Sequence, residues 1–228
     1  MTTIHNIAAY AHGGLSGAQA SQRDWSPFLA HFTSWKSMEV VRLAVAAGEK
    51  PAGLAALLAS ADADSFEVVK KIASSGKLLA RQPSDKKGNS HDIPACVCLS
   101  ECNLPGLLSH CERYGRFGFV IAKADAFAAG TRPCMYVDTD IYELLDKTYS
   151  ASTNPVERRL FGLANVFSPP GSGRIQDYTH EREWRHFGDL DLTSLAAILC
   201  PSAYIPQVRT LYPDKTLIPL DMLHQWGA

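Results

Sequence analysis

One late segment of alternating charged and aromatic residues constrains the fold of this chain most strongly. The run from Glu181 to Phe187 reads EREWRHF. Side chains of a strand alternate between two faces, so the run predicts a strand with Glu181, Glu183 and Arg185 on one face. Trp184 then packs into the core behind them. The two carboxylates repel each other unless a cation or a bound hydroxyl offsets them, and Arg185 is placed to do so. The alternative is the solvated outer face of an edge strand.

Helices are predicted mainly early in the chain and strands mainly late. Apolar periodicity and the Pro and Gly breaks between periodic runs define these elements. The predicted helices span 38–47, 52–59, 65–76, 124–129, 141–149 and 156–166. The predicted strands span 28–33, 95–99, 117–122, 134–137, 181–187, 195–201 and 216–220, and loops are predicted at 82–91 and 168–173. This order favours an α+β fold over a doubly wound one.

Length and composition fit one globular domain over residues 1–228. Apolar residues make up 46% of the 228 residues, enough for a sizeable core, and the formal net charge of −1 gives no global basic field for nucleic acid. The first ten residues lack the pattern of a signal peptide, and no apolar run is long enough to span a bilayer. We therefore expect a cytoplasmic protein whose cysteines are thiols.

Cysteine and histidine side chains are concentrated in one stretch, residues 91–111. The residues are His91, Cys96, Cys98, Cys102, His110 and Cys111. Structural zinc is usually held by paired C-x-x-C knuckles, and this chain has none, so buried thiols are favoured and no metal is expected. A cysteine nucleophile is the other alternative, but no local base singles one out. The chain also lacks a G-x-S-x-G elbow, a P-loop and a G-x-G-x-x-G motif.

Three segments together resemble the AbiGi-like abortive phage infection family. The first segment is His31-Phe32-Thr33, together with the helix end at 72–78 (IASSGKL). The second runs from 97–101 (VCLSE) into 114–119 (YGRFGF). The third is 181–185 (EREWR). Order and spacing suit that family best from about residue 90 to 190. The stretch 35–64 reads as a helical insertion within the domain.

The same landmarks resemble the His, Tyr and Glu positions of the ADP-ribosyltransferase fold. That resemblance implies a split mixed β-sheet flanked by helices, with NAD bound in a cleft as a substrate. It implies that His31 and Thr33 bind NAD, with His31 on the ribose, and that Tyr114 is both a binding and a catalytic residue that stacks on the nicotinamide.

The resemblance also implies roles for the charged residues of the late strand. Glu183 becomes the catalytic carboxylate, and Glu181 orients the acceptor nucleophile. Arg185 either binds a phosphate of NAD or keeps Glu183 ionised. Cleavage of the nicotinamide glycosidic bond develops positive charge on the ribose, and a fixed carboxylate stabilises that charge.

Three functions follow, in order of preference. The first is an ADP-ribosyltransferase or NAD glycohydrolase in phage defence, acting on a protein or nucleic-acid acceptor. The second is a non-catalytic antitoxin or regulatory module that neutralises a partner toxin, as members of the AbiGi-like family have been labelled. The third is a nucleic-acid-binding sensor whose basic face comprises Arg113, Arg116, Lys123, Arg158 and Arg159.

Overall fold

The computed structural model describes residues 26–33, 35–82, 93–101, 103–167 and 179–222. The chain divides into two compact units, each assembled from separate stretches of sequence. The first unit comprises residues 1–77, 102–124 and 192–228, and the second comprises 78–101 and 125–191. The predicted loop at 168–173 lies outside the described residues, as does the loop at 82–91 apart from Gln82. The single domain over 1–228 stays a prediction.

Helices and strands are interspersed along the described chain. The helices are α1 (Trp35–Ala46), α2 (Pro51–Ser75), α3 (Leu104–Tyr114), α4 (Lys123–Ala128), α5 (Thr139–Tyr149), α6 (Pro155–Gly162) and α7 (Ile205–Leu211). The strands are β1 (Phe28–Phe32), β2 (Lys77–Leu78), β3 (Cys96–Ser100), β4 (Gly118–Ala122), β5 (Arg132–Pro133), β6 (Met135–Val137), β7 (Ala164–Val166), β8 (Glu183–Phe187), β9 (Leu190–Asp191), β10 (Leu195–Cys200) and β11 (Thr216–Pro219). Short 3₁₀ turns occupy Thr179–Glu181 and Ser202–Tyr204.

The first unit contains a mixed sheet in the order β11-β10-β4-β1. Strands β10 and β11 are parallel, whereas β10 with β4 and β4 with β1 are antiparallel. Apolar side chains from neighbouring strands and from α3 form its core. The fully buried members of this cluster are Ala30, Cys111, Val120, Ala197, Leu199 and Leu220. This unit has the mixed sheet and flanking helices expected of an α+β fold.

Helix α2 corrects the prediction of two separate helices at 52–59 and 65–76. It runs for 25 residues without a break from Pro51, which suits a first helical position because its missing N–H needs no partner there. The polar residues read as a break are accommodated inside the helix, where the Ser65 hydroxyl donates to the Ala61 carbonyl at 2.7 Å. The predicted stop is confirmed: Gly76 has φ 67° and its N–H donates to the Ile72 carbonyl.

Helix α3 has no counterpart among the predicted helices. Its start combines Pro and Gly, which resemble a loop in sequence, but the Asn103 side chain caps it by accepting from the Gly106 N–H at 3.0 Å. The helix ends at Tyr114, so this residue lies on a helix terminus.

In the second unit, β8 lies between β3 and β5, and both pairings are antiparallel. A separate parallel pair is formed by β6 and β7. The helix predicted at 156–166 is too long: α6 ends at Gly162, and 164–166 form β7 instead. A Cβ on Gly162 would lie 2.7 Å from the Phe187 ring, so a larger residue at this position would displace the ring and loosen the packing of α6 against β8.

Gly115 fixes the position of the chain between α3 and β4. Its φ is 109°, and a Cβ added there would lie 1.9 Å from the Thr33 carbonyl oxygen. We expect Gly115→Ala to lower the free energy of unfolding by at least about 3 kcal/mol, because left-handed strain and steric overlap add.

Gly48→Ala is the matched control, because Gly48 also has positive φ but a Cβ there meets nothing within 4 Å. It should cost only about 1–2 kcal/mol. Urea unfolding of both variants measures the difference. Equal losses would contradict the close approach of Gly115 to Thr33.

Candidate active site

A buried ion pair between Glu183 and Arg185 lies on one face of β8. Each residue is only 7% exposed. Arg185 Nε donates to Glu183 Oε1 at 2.9 Å, and Arg185 Nη2 donates to Oε2 at 3.0 Å. Residues two apart on a strand share a face, which is why this bidentate pair forms within a single strand. Bidentate geometry makes the contact both strong and directional.

The rest of the Arg185 guanidinium binds backbone carbonyls after α6. Nη1 donates to the Gly162 carbonyl at 2.6 Å and to the Ala164 carbonyl at 3.4 Å. Burial opposes the positive charge, but the Glu183 carboxylate and the hydrogen bonds to it outweigh burial and raise the pKa of Arg185. Arg185 therefore links the Glu183 carboxylate to the end of α6 and the start of β7.

Two polar residues that the sequence did not single out also hold Glu183. Asn165 Nδ2 on β7 donates to Glu183 Oε2 at 2.9 Å. The Glu183 backbone N–H donates to the Tyr136 hydroxyl of β6 at 2.8 Å. Burial raises the pKa of Tyr136 to about 12. The carboxylate is thus fixed both through its own oxygens and through the backbone that carries it.

Cys134 lies beside the same carboxylate. Its backbone N–H donates to the Glu183 carbonyl at 2.8 Å. Burial and the negative charge of Glu183 raise the pKa of the Cys134 thiol, so this thiol stays protonated. A thiol is a weak donor, so Cys134 adds little to the binding of the carboxylate.

Glu181 does not extend β8, which corrects the predicted start of the strand. It ends a 3₁₀ turn, and Arg182 follows with the left-handed φ of 42°. Glu101 stabilises this kink through two contacts. Its carboxylate accepts from Arg182 Nη2 at 3.1 Å, and its backbone N–H donates to the Arg182 carbonyl at 3.2 Å. The regular alternation assumed for Glu181, Glu183 and Arg185 therefore applies only to the last two.

The predicted burial of β8 is inverted. Trp184 is only partly buried, and its indole N–H donates to Glu101 Oε2 at 3.2 Å. The charged residues Glu183 and Arg185 are the buried ones. The prediction that Trp184 packs into the core was therefore wrong. The face of β8 that carries Glu183 and Arg185 is the buried one, because the polar atoms of both residues find hydrogen-bond partners there.

Three of the residues predicted to bind NAD, namely His31, Thr33 and Tyr114, lie in the first unit, whereas Arg185 lies in the second. His31 is on β1, opposite Phe119 of β4. Thr33 is buried, and both its N–H (3.0 Å) and its hydroxyl (3.4 Å) donate to the Phe117 carbonyl. Tyr114 ends α3, and Gly115 packs against the Thr33 carbonyl, so Thr33 and Tyr114 lie at the same place in this unit.

An aromatic cluster surrounds Tyr114. The His110 ring lies 5.5 Å from the Tyr114 ring and 5.9 Å from the Phe32 ring, measured between centroids. The Arg113 guanidinium lies 5.3 Å from the centroid of Tyr114. His110 Nδ1 contacts the Gly106 carbonyl at 2.9 Å, which sets the orientation of its ring. Sequence reasoning considered His110 only as a zinc ligand.

Arg116, which belongs to the predicted basic face, forms ion pairs with carboxylates. It forms a bidentate ion pair with the buried Asp62 of α2. The third guanidinium nitrogen, Nη1, lies 3.3 Å from Asp221 Oδ1. The hydrogen bonds that Arg116 donates to Asp62 raise the pKa of Arg116. This cation therefore stabilises the first unit from within and adds no net charge to a nucleic-acid surface.

Two further properties concern only the described residues. Among them, no group of three His, Cys, Asp or Glu side chains is arranged to hold a metal ion. His91 and Cys102 lie outside the described residues. No helix in the described ranges combines the length and apolar character needed to cross a membrane.

No family model and no curated protein matches this chain. The resemblance to the AbiGi-like family therefore stays a prediction. Among solved structures, the chain is similar to DarT from Thermus sp. 2.9 in complex with NAD+, with 13% identity, 86% of this chain and 96% of that chain covered, and a TM-score of 0.37. A similarity this distant carries no argument about fold or function.

Removal of the Arg185 charge tests the buried pair. We expect Arg185→Met to lower the free energy of unfolding by roughly 3–5 kcal/mol, because it leaves the Glu183 carboxylate buried without its cation. The double variant Glu183→Gln, Arg185→Met should recover part of that loss. Urea unfolding of the single and double variants gives the coupling energy. A loss below about 1 kcal/mol would contradict a buried pair.

Alkaline pH tests the environment of Tyr136. Its folded pKa of about 12 exceeds the ordinary value of about 10, so the unfolded chain loses the phenol proton first. The stability from this group is complete below pH 10 and is lost as the pH rises through 12. The stability difference between the unmodified chain and Tyr136→Phe should therefore shrink over this range. A difference that is constant in urea titrations from about pH 9 to 12 would contradict burial of the phenol.

Proposed function

We propose that this chain is an NAD-dependent ADP-ribosyltransferase in which Glu183 is the catalytic carboxylate. One observation carries the proposal: the carboxylate of a buried glutamate accepts two hydrogen bonds from Arg185 and one from Asn165, which fix it in place. A buried charge is expensive unless it is paired, and perturbed buried charges are concentrated at functional sites. The proposal combines this geometry with the sequence resemblance to the ADP-ribosyltransferase fold.

The chemistry needs a fixed negative charge near the ribose. When the bond between nicotinamide and ribose breaks, the ribose becomes positively charged in the manner of an oxocarbenium ion. A carboxylate already oriented before the reaction stabilises this charge without reorganising. Glu183 is oriented in this way because Arg185 restrains both carboxylate oxygens and Asn165 restrains one of them.

The Glu183 carboxylate keeps room for a substrate hydroxyl. A carboxylate offers about four acceptor positions, and three N–H donors fill three of them. A ribose hydroxyl would donate to the fourth position and complete the set.

Arg185 acts through Glu183 in this proposal. The N–H groups of Arg185 donate to the Glu183 carboxylate and to the carbonyls of residues 162 and 164. These contacts suit Arg185 to positioning Glu183 rather than to binding a phosphate of NAD. The roles of His31 and Thr33 in binding NAD, and of Tyr114 as the nicotinamide platform, rest on the sequence resemblance alone and are part of the proposal.

The acceptor determines the outcome of the reaction. Glu181, in the turn before β8, orients the nucleophile of a protein or nucleic acid, and water as acceptor would make the chain an NAD glycohydrolase. Such a reaction consumes NAD or modifies an essential molecule. This outcome fits a toxin that acts in phage defence or in a toxin–antitoxin pair. The toxin would act in the cytoplasm, and an antitoxin protein would be its partner.

The test compares two charge-neutralising substitutions. Glu183→Gln removes the negative charge that stabilises the ribose cation, so we expect a loss of NAD turnover of at least about a hundredfold. Glu143→Gln on the exposed part of α5 makes the same charge change and should leave turnover unchanged. Release of nicotinamide from NAD measures both. Circular dichroism and urea unfolding establish that each variant is folded.

The outcome also separates the enzyme from the alternative antitoxin or regulatory module. Full activity in a folded Glu183→Gln variant would overturn Glu183 as the catalytic residue. No NAD turnover by the unmodified chain, together with no NAD binding in calorimetry and a stable complex with a neighbouring gene product, would establish the binding module instead.

A further inference from the structure

A pair of cysteines on β3 lies next to the ion pair but takes no part in the proposed chemistry. The Sγ atoms of Cys96 and Cys98 are 4.0 Å apart. Residues two apart on a strand share a face, so both thiols point the same way. Cys96 is buried and Cys98 is exposed. The pair therefore joins an exposed residue to a buried one.

This pair is in register with the ion-pair strand. Cys98 lies opposite Arg185, and Cys96 lies opposite Phe187. Opposite residues of an antiparallel pair have their side chains on the same face. A change in the spacing of the two cysteines therefore acts directly on the part of β8 that carries Arg185.

The two thiols form one ionising system. The hydrogen bond from Cys98 lowers the pKa of Cys96, and the positive charge of Arg185 lowers it further. The same contact raises the pKa of Cys98, so loss of one proton leaves the negative charge on Cys96 beside the protonated Cys98 thiol. Thiolates are the reactive form of cysteine, and the exposed position of Cys98 admits a small oxidant to the pair.

We propose that Cys96 and Cys98 form a peroxide-sensitive dithiol site that closes to an intrastrand disulfide and loosens the pairing of β3 with β8. The sulfurs must approach from 4.0 Å to about 2 Å. Cα atoms two apart on a strand are separated by roughly 6.6–6.8 Å, at the upper end of the range that a disulfide spans. Closure therefore pulls these Cα atoms together and shortens β3 locally.

The reaction is balanced with hydrogen peroxide as the oxidant. A thiolate of the pair attacks one peroxide oxygen, the O–O bond breaks, and the departing hydroxide takes up a proton to give water. The second thiol attacks the resulting sulfenic acid, an S–S bond forms, the S–O bond breaks, and a second water leaves. The two cysteines lose two electrons, which the peroxide gains.

The experiment uses the full chain and does not depend on the proposed enzyme activity. Hydrogen peroxide is added to the reduced protein, free thiols are alkylated, and the cysteine peptides are mapped by mass spectrometry. We expect loss of two alkylatable thiols, a bond between Cys96 and Cys98, and recovery of both thiols with dithiothreitol. Cys98→Ser should abolish the bond, whereas Cys102→Ser should retain it.

Other oxidation products overturn the proposal. They are a bond from Cys98 to Cys102, a bond between two chains, or Cys98 oxidised alone to a sulfinic acid. Retention of both thiols after peroxide, in a protein whose Cys98 reacts with iodoacetamide, also overturns it.

Hydrogen exchange tests the structural consequence. In the oxidised protein, the amides of β8 should exchange at least about tenfold faster than in the reduced protein, because the strand they pair with is displaced. Amides of β10 and β4, in the first unit, should be unchanged. A disulfide that forms without faster exchange in β8 would overturn the proposed loosening of the β3–β8 pairing.

Discussion

The buried ion pair of Glu183 and Arg185 sets the requirements that the rest of the second unit meets. Removal of two charges from water costs several kcal/mol per ion, and mutual attraction offsets this only when the other polar atoms also find partners. Arg185 needs acceptors beyond the carboxylate, and carbonyls at 162 and 164 supply them. These carbonyls point at Arg185 because α6 stops at Gly162 and the chain turns into β7.

The same requirement explains the short parallel pair of β6 and β7. β7 carries Asn165, whose amide binds the carboxylate, and β6 carries Tyr136, whose hydroxyl accepts the Glu183 N–H. The two residues lie opposite each other in the register of this pair. A pair of three-residue strands contributes little apolar burial, so its clearest physical effect is to place these two polar side chains around one carboxylate. Because a buried ion pair by itself adds little to stability, these partners matter chiefly by keeping both charges hydrogen-bonded.

Local patterns in the sequence identified the strand but not its surroundings. Alternation around Glu183 predicted β8 and the shared face of Glu183 and Arg185, because that relationship depends only on the two-residue period of a strand. Asn165 and Tyr136 were not predicted, since they reach Glu183 from 18 and 47 residues away and no periodicity encodes such contacts. The burial of Trp184 was predicted incorrectly because hydrophobicity alone assigned the inner face, whereas hydrogen bonds made the charged face the inner one.

Tyr114 illustrates how a conspicuous residue is positioned by less conspicuous neighbours. Its place at the end of α3 depends on Gly115, the one residue type that tolerates both the positive φ and the approach to the Thr33 carbonyl. Arg116 then anchors the following turn to Asp62 of α2. The ring of Tyr114 is thus held by constraints on the two residues after it, while its own contacts are aromatic, with His110, and cationic, with Arg113. The proposed nicotinamide platform therefore depends on Gly115 and Arg116 as well as on Tyr114 itself.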